Sequence, residues 1–335
     1  MLMKVEDKTK ARLKIILIIS IFIVILLQFK KIFSDFDIHT FYTYKDKLSF
    51  ISLSFIAVLG LISYLPLSLY DFVIKDTCKI SLNNKDLYKS SWIASSISSI
   101  VGFGGTAAIA LKSYFYSPYI KDKTALVKEV SKVVLLNFTG FSVICFIYSI
   151  SNIRSLHHID VVRLGILLAS LYAPFLIIHN LNRCRSKEKR NCAINTLKIM
   201  ILSTIEWIAM ALLLFCILKL LGASLPMSKI FPIYVIASAI GIISMMPGGI
   251  GGFDISFILG VSSLGINKEE ALLALVLYRI SYYIIPLTVG IFLFLYETKK
   301  KINKNYFEII ELGLKKIKYK LKDNKSNERY ESKEV

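Results

Sequence analysis

The sequence predicts an all-α, polytopic helical membrane protein, and three observations predict it. Apolar runs of about 20 residues, each enough to cross a hydrocarbon core of roughly 30 Å, recur along the chain. The 335 residues are 55% hydrophobic, with a mean hydropathy of +0.60, which is more apolar surface than one or two soluble cores bury. The cationic residues lie between the runs and in the C-terminal tail, where Lys and Arg hold loops on the cytoplasmic side and meet anionic lipid. The formal charge of +19 is therefore a membrane pattern. A nucleic-acid groove would need a separate soluble module, and the sequence offers none.

In chain order, Leu13–Phe29 is the first span, flanked by Lys10, Arg12 and Lys14 before it and Lys30 and Lys31 after it. No small-residue cleavage site follows, so it is expected to be retained. Leu48–Ile74 is the second span, and the basic loop Lys75–Lys89 follows. Ser91–Leu111, rich in Ser and small residues, contains Gly102-Phe-Gly104-Gly105 and is expected to enter and leave on one side. That assignment keeps the N-terminus, the loops at Lys75–Lys89, Lys112–Lys132 and Arg183–Lys198, and the tail on the cytoplasmic side; a crossing there would place the basic tail outside.

Val127–Ile150, Val161–His179, Leu197–Leu221 and Ala271–Tyr296 are further spans, the last long enough to cross with tilt. Ile230–Met246 and Phe253–Ile266 form either two short crossings or one broken hairpin. The expected total is about six to eight crossings with one or two re-entrant elements. Residues 1–298 form the membrane domain and 299–335 the tail, where Ile302, Tyr306, Ile310, Leu314, Ile317 and Leu321 recur at helical spacing among lysines. This suits a basic amphipathic helix on the lipid surface or a solvated tail; after Asp323 the polar composition predicts disorder.

The cysteines (Cys78, Cys145, Cys184, Cys192, Cys216) show neither a C-x-x-C pair nor a metal-knuckle spacing. The histidines (His39, His157, His158, His179) fall near membrane boundaries, where interfacial packing accounts for them. No metal or cofactor is expected, since neither a P-loop nor a dinucleotide fingerprint occurs, and no nucleophile, acid and base constellation emerges.

Ionisable groups inside hydrocarbon cost several kcal/mol and demand a partner or a wet cavity. Asp71, Glu206 and Arg279 are such groups. Asp71 lies near the cytoplasmic end of its span, where it also reads as a boundary residue. Glu206 lies well inside its span, either functional or protonated and structural, with Thr204 and Trp207 as local hydrogen-bond candidates. Arg279 keeps its charge and so needs a phosphate or a carboxylate, with Glu206 and Asp254 the candidates.

Met246-Pro247-Gly248-Gly249-Ile250-Gly251-Gly252-Phe253-Asp254 cannot continue a helix cheaply. Such a break is tolerated in a membrane where protein buries it or a cavity wets it, and the next half-helix points its amides at an anion. Asp254 reads equally as that helix's N-cap. Gly102, Gly104 and Gly105, with Lys112 after them, form a second candidate break, or a surface for close helix packing.

At Pro247–Asp254, Tyr278-Arg279 with the Tyr-Tyr-Ile-Ile-Pro286 that follows, Glu206-Trp207 and Gly102–Gly105, the sequence resembles the transmembrane region of the lysylphosphatidylglycerol synthase family, the membrane half of the multiple peptide resistance factor. The likeness covers roughly Leu13–Tyr296. It implies a flippase-type domain that moves aminoacylated phosphatidylglycerol between leaflets and lowers the charge seen by cationic peptides. Asp71, Glu206 and Arg279 match intramembrane charged positions of that family, and the expected roles are a phosphate held by the Pro247–Asp254 break and Arg279, with Glu206 and Asp71 contacting a cationic headgroup or titrating during the cycle. Asp254 stands where the family more often has Glu, and Lys112 where it tends to have Arg. Full-length members add a soluble aminoacyl-transferase domain, whereas only about forty residues follow the last run here, so transferase chemistry is not expected of this chain alone. The competing functions are phosphatidylglycerol lysyltransferase, alone or with a separate soluble partner, and a scaffold or small-solute permease. Membrane phospholipids are the expected partners, with a homo-oligomer or a separate synthase left open.

Overall fold

The computed structural model describes residues 48–101, 105–152, 161–184, 190–244 and 246–298. The first expected span, His39, Gly102, Gly104, His157, His158 and the tail from Lys299 lie outside them. The chain divides into two compact units after Gly290, and everything below concerns the first. Of the second, the described part is the helix end that stops at Thr298.

The described elements are helical. They are α1 (Phe50–Cys78), α2 (Asn84–Val101), α3 (Thr106–Tyr116), α4 (Lys123–Ser151), α5 (Val161–Ser170), α6 (Tyr172–Cys184), α7 (Arg190–Leu221), α8 (Met227–Ile243), α9 (Gly252–Ser262) and α10 (Lys268–Arg279). Among the described residues, five stretches are long and apolar enough to cross a membrane: Phe50–Cys78, Lys123–Ser151, Val162–Asn182, Arg190–Leu221 and Lys268–Thr298. Their outer faces are apolar, with Leu135, Leu168, Phe175, Ile201 and Ile205 all exposed. Exposed aliphatic surface on that scale is stable in lipid and a liability in water. The protein is a multi-pass helical membrane protein.

The central frame is the antiparallel pair α1 and α7. Ser63 Oγ donates to the Ala209 carbonyl at 3.3 Å, Tyr70 reaches Glu206, and Asn195 Nδ2 donates to Thr77 Oγ1 at 3.1 Å, so rising numbers on one helix meet falling numbers on the other. α4 packs on α7 through Gly140, whose amide donates to Ser203 Oγ at 2.8 Å. A Cβ there would fall on the Ser203 carbonyl, so only glycine permits the approach. The Val162–Asn182 stretch is interrupted at Leu171. Ser142 of α4 supplies the cause: its hydroxyl donates to the Ala169 carbonyl at 2.6 Å and accepts from the Ala173 amide at 2.8 Å, taking the place of one i→i−4 bond.

Two shorter elements are hairpins. α2 and α3 are joined across a glycine break, and their outer ends meet where the Ser81 amide donates to the Tyr119 carbonyl at 3.2 Å. α8 and α9 turn back at Pro247–Gly251, and Gly241 lies against Phe253 while Gly260 lies against Ile233. At 11 residues, α9 rises about 16 Å, too little for a crossing, so the broken hairpin is the form adopted over two short crossings. The first hairpin starts beside the α1 C-terminus, where α7 begins, and the second starts just past the α7 C-terminus. They therefore enter the bundle from opposite ends, and α2 packs against the tip of the second.

Candidate functional site

The hairpin tips and the middle of α7 line a partly open cavity of about 420 Å³. Its lining includes Gly105, Lys112, Glu206, Gly248, Gly249, Tyr278 and Arg279, all singled out in the sequence. Among the described residues, three charged side chains reach it, and each is buried: Lys112, Glu206 and Arg279 are no more than 5% exposed.

Lys112 comes from α3 and meets Asp71 of α1, Nζ to Oδ1 at 2.5 Å. The Tyr116 hydroxyl, one turn further along α3, donates to the second Asp71 oxygen. Asp71 is fully buried, so it is not a boundary residue reaching water. Arg279 ends α10 and is engaged by Asp254 at the start of α9: Nη2 lies 2.7 and 2.9 Å from the two carboxylate oxygens and Nε 3.1 Å from Oδ1. Nη1 donates to the Gly248 carbonyl at 3.2 Å, and the guanidinium lies 5.7 Å from the Tyr283 ring centre. Asp254 is not the N-cap expected, since α9 begins at Gly252 with Gly251 as its N-cap; from the third helical position its carboxylate reaches back to the Gly251 amide at 2.8 Å while neutralising Arg279. Of the two partners foreseen for Arg279, Asp254 is the one in contact.

Glu206 is different. It sits midway along α7, deeper than a helix starting at Leu197 implied, because α7 begins at Arg190. Its Oε2 accepts from Tyr70 at 2.6 Å and from Asn137 at 2.9 Å, and its Oε1 accepts from Tyr282 at 3.2 Å. All three donors are neutral. Among the described residues no Lys or Arg nitrogen lies within ion-pair distance of it, although Lys112 attracts it from further across the cavity. The local candidates Thr204 and Trp207 do not bond it: Thr204 Oγ1 donates to the Met200 carbonyl and Trp207 Nε1 to the Asn137 carbonyl. Successive residues on a helix point about 100° apart, which is how Tyr70 serves Glu206 while Asp71 serves Lys112.

Aromatic walls complete the cavity. Directly after Arg279 the helix widens into a π turn, Ile280–Ile284, an irregularity that recurs at functional sites. Tyr278, Tyr282 and Tyr283 all face the cavity from this stretch, with Tyr70, Tyr234 and Phe253 from other elements. Tyr278 and Tyr282 lie parallel with ring centres 5.9 Å apart. Such rings present negative faces to a cation.

The break at Pro247–Gly252 follows from its glycines, since Gly248, Gly249 and Gly251 have φ of 61°, 68° and 95°, a region costly to other residues. The structure thus draws Gly105, Lys112, Glu206, Gly248, Gly249, Tyr278 and Arg279 around one space, with Asp71 and Asp254 behind two of the cations. Gly251 and Gly252 belong to the tip of the second hairpin without lining the cavity as Gly248 and Gly249 do, and Pro247 opens that tip. Asn137, Tyr70 and Tyr116 went unrecognised in the sequence, and Tyr282 was noted there only within the Tyr-Tyr-Ile-Ile-Pro286 run, without a role of its own. A lone amide in an apolar run was the available signal for Asn137.

Comparison with known proteins adds a family. Residues 13–290 match the family model described as the lysylphosphatidylglycerol synthase TM region. A phosphatidylglycerol lysyltransferase of Bacillus subtilis is 29% identical over 300 residues, which is 87% of this chain and 35% of that protein. One of Staphylococcus aureus (strain MRSA252) is 28% identical over 299 residues, covering 88% and 35%. The chain spans about a third of the length of these curated relatives.

Proposed function

Because this chain belongs to the lysylphosphatidylglycerol synthase transmembrane-region family, we propose that it binds an aminoacylated phosphatidylglycerol, such as the lysyl lipid, and carries it across the cell membrane. Doing so would lower the surface charge met by cationic peptides. The observation that carries the reading is Glu206. A carboxylate buried among neutral donors, facing a cavity with aromatic walls, is a receptor for an ammonium group, whereas the cations around it are already neutralised by Asp71 and Asp254. The two hairpins entering from opposite ends support passage, because each can open the cavity to one side while the other stays closed. Basic loops beside the first hairpin support a cytoplasmic location for that end and for both termini.

Glu206→Gln tests the reading cleanly. The amide oxygen can accept from Tyr70 and Asn137, and the amide nitrogen can donate to the Tyr282 oxygen, so the packing survives while the charge is lost. In cells supplied with lysyl-phosphatidylglycerol, outer-leaflet lysyl lipid read with an impermeant amine reagent should fall to background, with total lipid and protein level unchanged. Unchanged exposure would refute the proposal.

The name of the relatives favours a second reading, phosphatidylglycerol lysyltransferase activity, alone or with a separate soluble partner. New lysyl lipid in extracts of cells expressing this chain alone would support it.

A further inference from the structure

We infer that the chain is a proton–lipid exchanger, in which Glu206 gives up one proton for each headgroup of single net positive charge that it receives. The inference rests on the lipid reading above and supplies what drives the movement.

Among the described residues, the carboxylates and cations at the cavity or directly behind it are Asp71, Lys112, Glu206, Asp254 and Arg279. Lys112 matches Asp71, and Arg279 matches Asp254. Glu206 is left over. Its oxygens accept from Tyr70, Asn137 and Tyr282, and none of these brings a charge. An ionised Glu206 therefore leaves the cavity with one negative charge in excess, and an unmatched charge shut away from water costs several kcal/mol. Two things cancel it: a proton on the carboxylate, or a headgroup with one positive charge in excess. The lysyl ester of phosphatidylglycerol is such a headgroup near neutral pH, with two ammonium groups against one phosphodiester. The other groups that face Glu206 leave the balance unchanged. From α1 they are Tyr64 and Tyr70, from α8 Tyr234, from the π turn Tyr282 and Tyr283, and across the cavity Lys112, already paired. Phenols are neutral at physiological pH. α4 offers Asn137, which does not titrate, and α6 meets α7 nearer its start, where Asn180 donates to the Ala193 carbonyl at 2.8 Å.

The exchange balances atom by atom. On the cytoplasmic side an ammonium of the lipid approaches Glu206, the O–H bond of the carboxyl breaks, its proton passes to water at the mouth of the cavity, and the carboxylate pairs with the ammonium. On the outer side the ammonium departs and a proton from water re-forms the O–H bond. The Tyr282 contact, at 3.2 Å the longest of the three and alone on Oε1, is the one that can reverse. With Oε1 protonated, the carboxyl donates to the Tyr282 oxygen. Both loaded states are neutral, so the cavity can close around either. The empty, ionised state keeps its excess charge and stays open to water, which ties one crossing to the other. One lipid moves outward for each proton moving inward, and no net charge crosses.

The test uses the full chain, purified and placed in liposomes with a trace of lysyl-phosphatidylglycerol that is fluorescent on one acyl chain and read with an impermeant quencher. The interior is held at about pH 6.5 and the outside at about pH 5.5, where both amines keep their protons. At steady state the outer leaflet should hold about ten times as much label as the inner, which is the ratio of the two proton concentrations. Inverting the gradient should invert the ratio. A potassium diffusion potential at equal pH should leave the label evenly distributed. Even distribution under the pH gradient with exchange intact, or a distribution that follows the potential, would overturn the inference and leave the lipid reading in place. If the wild-type chain exchanges no label, the lipid reading itself fails. Infrared spectra of the lipid-free chain in a detergent without ester groups locate the proton. At neutral pH a protonated-carboxyl band should be present in the wild type and missing from Glu206→Gln. A wild type without that band, or a band that survives Glu206→Gln undiminished, would overturn the assignment of the proton to Glu206.

Discussion

Asp71 and Lys112 show how tightly single residues are committed in this interior. Asp71→Asn would leave an ammonium buried without a counter-charge, an error that costs about 3–5 kcal/mol. Purified in detergent, that variant should show a markedly lower unfolding temperature. Replacing both partners, as Asp71→Leu with Lys112→Met, should recover most of the loss, because a buried pair exchanged for apolar groups of similar volume is close to neutral. The residual deficit falls on the Tyr116 hydroxyl, which loses its acceptor. If the double variant is no more stable than the single, the pair is not the determinant. Asp71, Glu206 and Arg279 were legible in the sequence because charge inside an apolar run has no cheap explanation. Asp254, the partner of Arg279, was legible too, and Lys112 was singled out, but the neutral partners of Glu206 were not assigned to it, because Tyr and Asn are ordinary in such runs, and only the tertiary arrangement brings Tyr70, Asn137 and Tyr282 onto one carboxylate.

Among the elements, the sequence carried the five long helices of the described region, whose apolar runs are longer than any other structure tolerates. It left the second break undecided between two crossings and a hairpin. Close packing of Gly241 on Phe253 and Gly260 on Ile233 decides the matter, and such contacts have no one-dimensional signature. The contact between α4 and α7 is equally specific. Gly140→Ala would drive a methyl into the Ser203 carbonyl, and overpacking of this kind costs about 1–3 kcal/mol. Gly165 of α5 has open space around it, so Gly165→Ala should leave thermal stability unchanged or slightly raised. Equal behaviour of the two variants in a thermal melt would contradict the packing described for α4 and α7.

For the molecule as a whole, the arrangement sets two hairpins into one bundle from opposite ends. The prediction is one of sidedness. In a cysteine-free background, Lys85→Cys and Lys121→Cys at the mouth of the first hairpin should react with an impermeant thiol reagent only from the cytoplasmic side. Lys229→Cys and Asn267→Cys beside the second should react only from outside. Reaction of all four from one face would rule out opposed entry. The loop charges carry an expectation of sidedness that these reactions test, because a lysine count needs no fold; the common cavity was not legible, because it is made by residues from 67 to 283 that meet only once the helices pack. Most direct of all is leaflet exchange in liposomes containing the purified chain and a labelled lysyl-phosphatidylglycerol. Wild-type protein should make the label in the inner leaflet accessible from outside, and Glu206→Gln should reduce that rate to the level of protein-free liposomes. Exchange at the wild-type rate by Glu206→Gln would contradict the account.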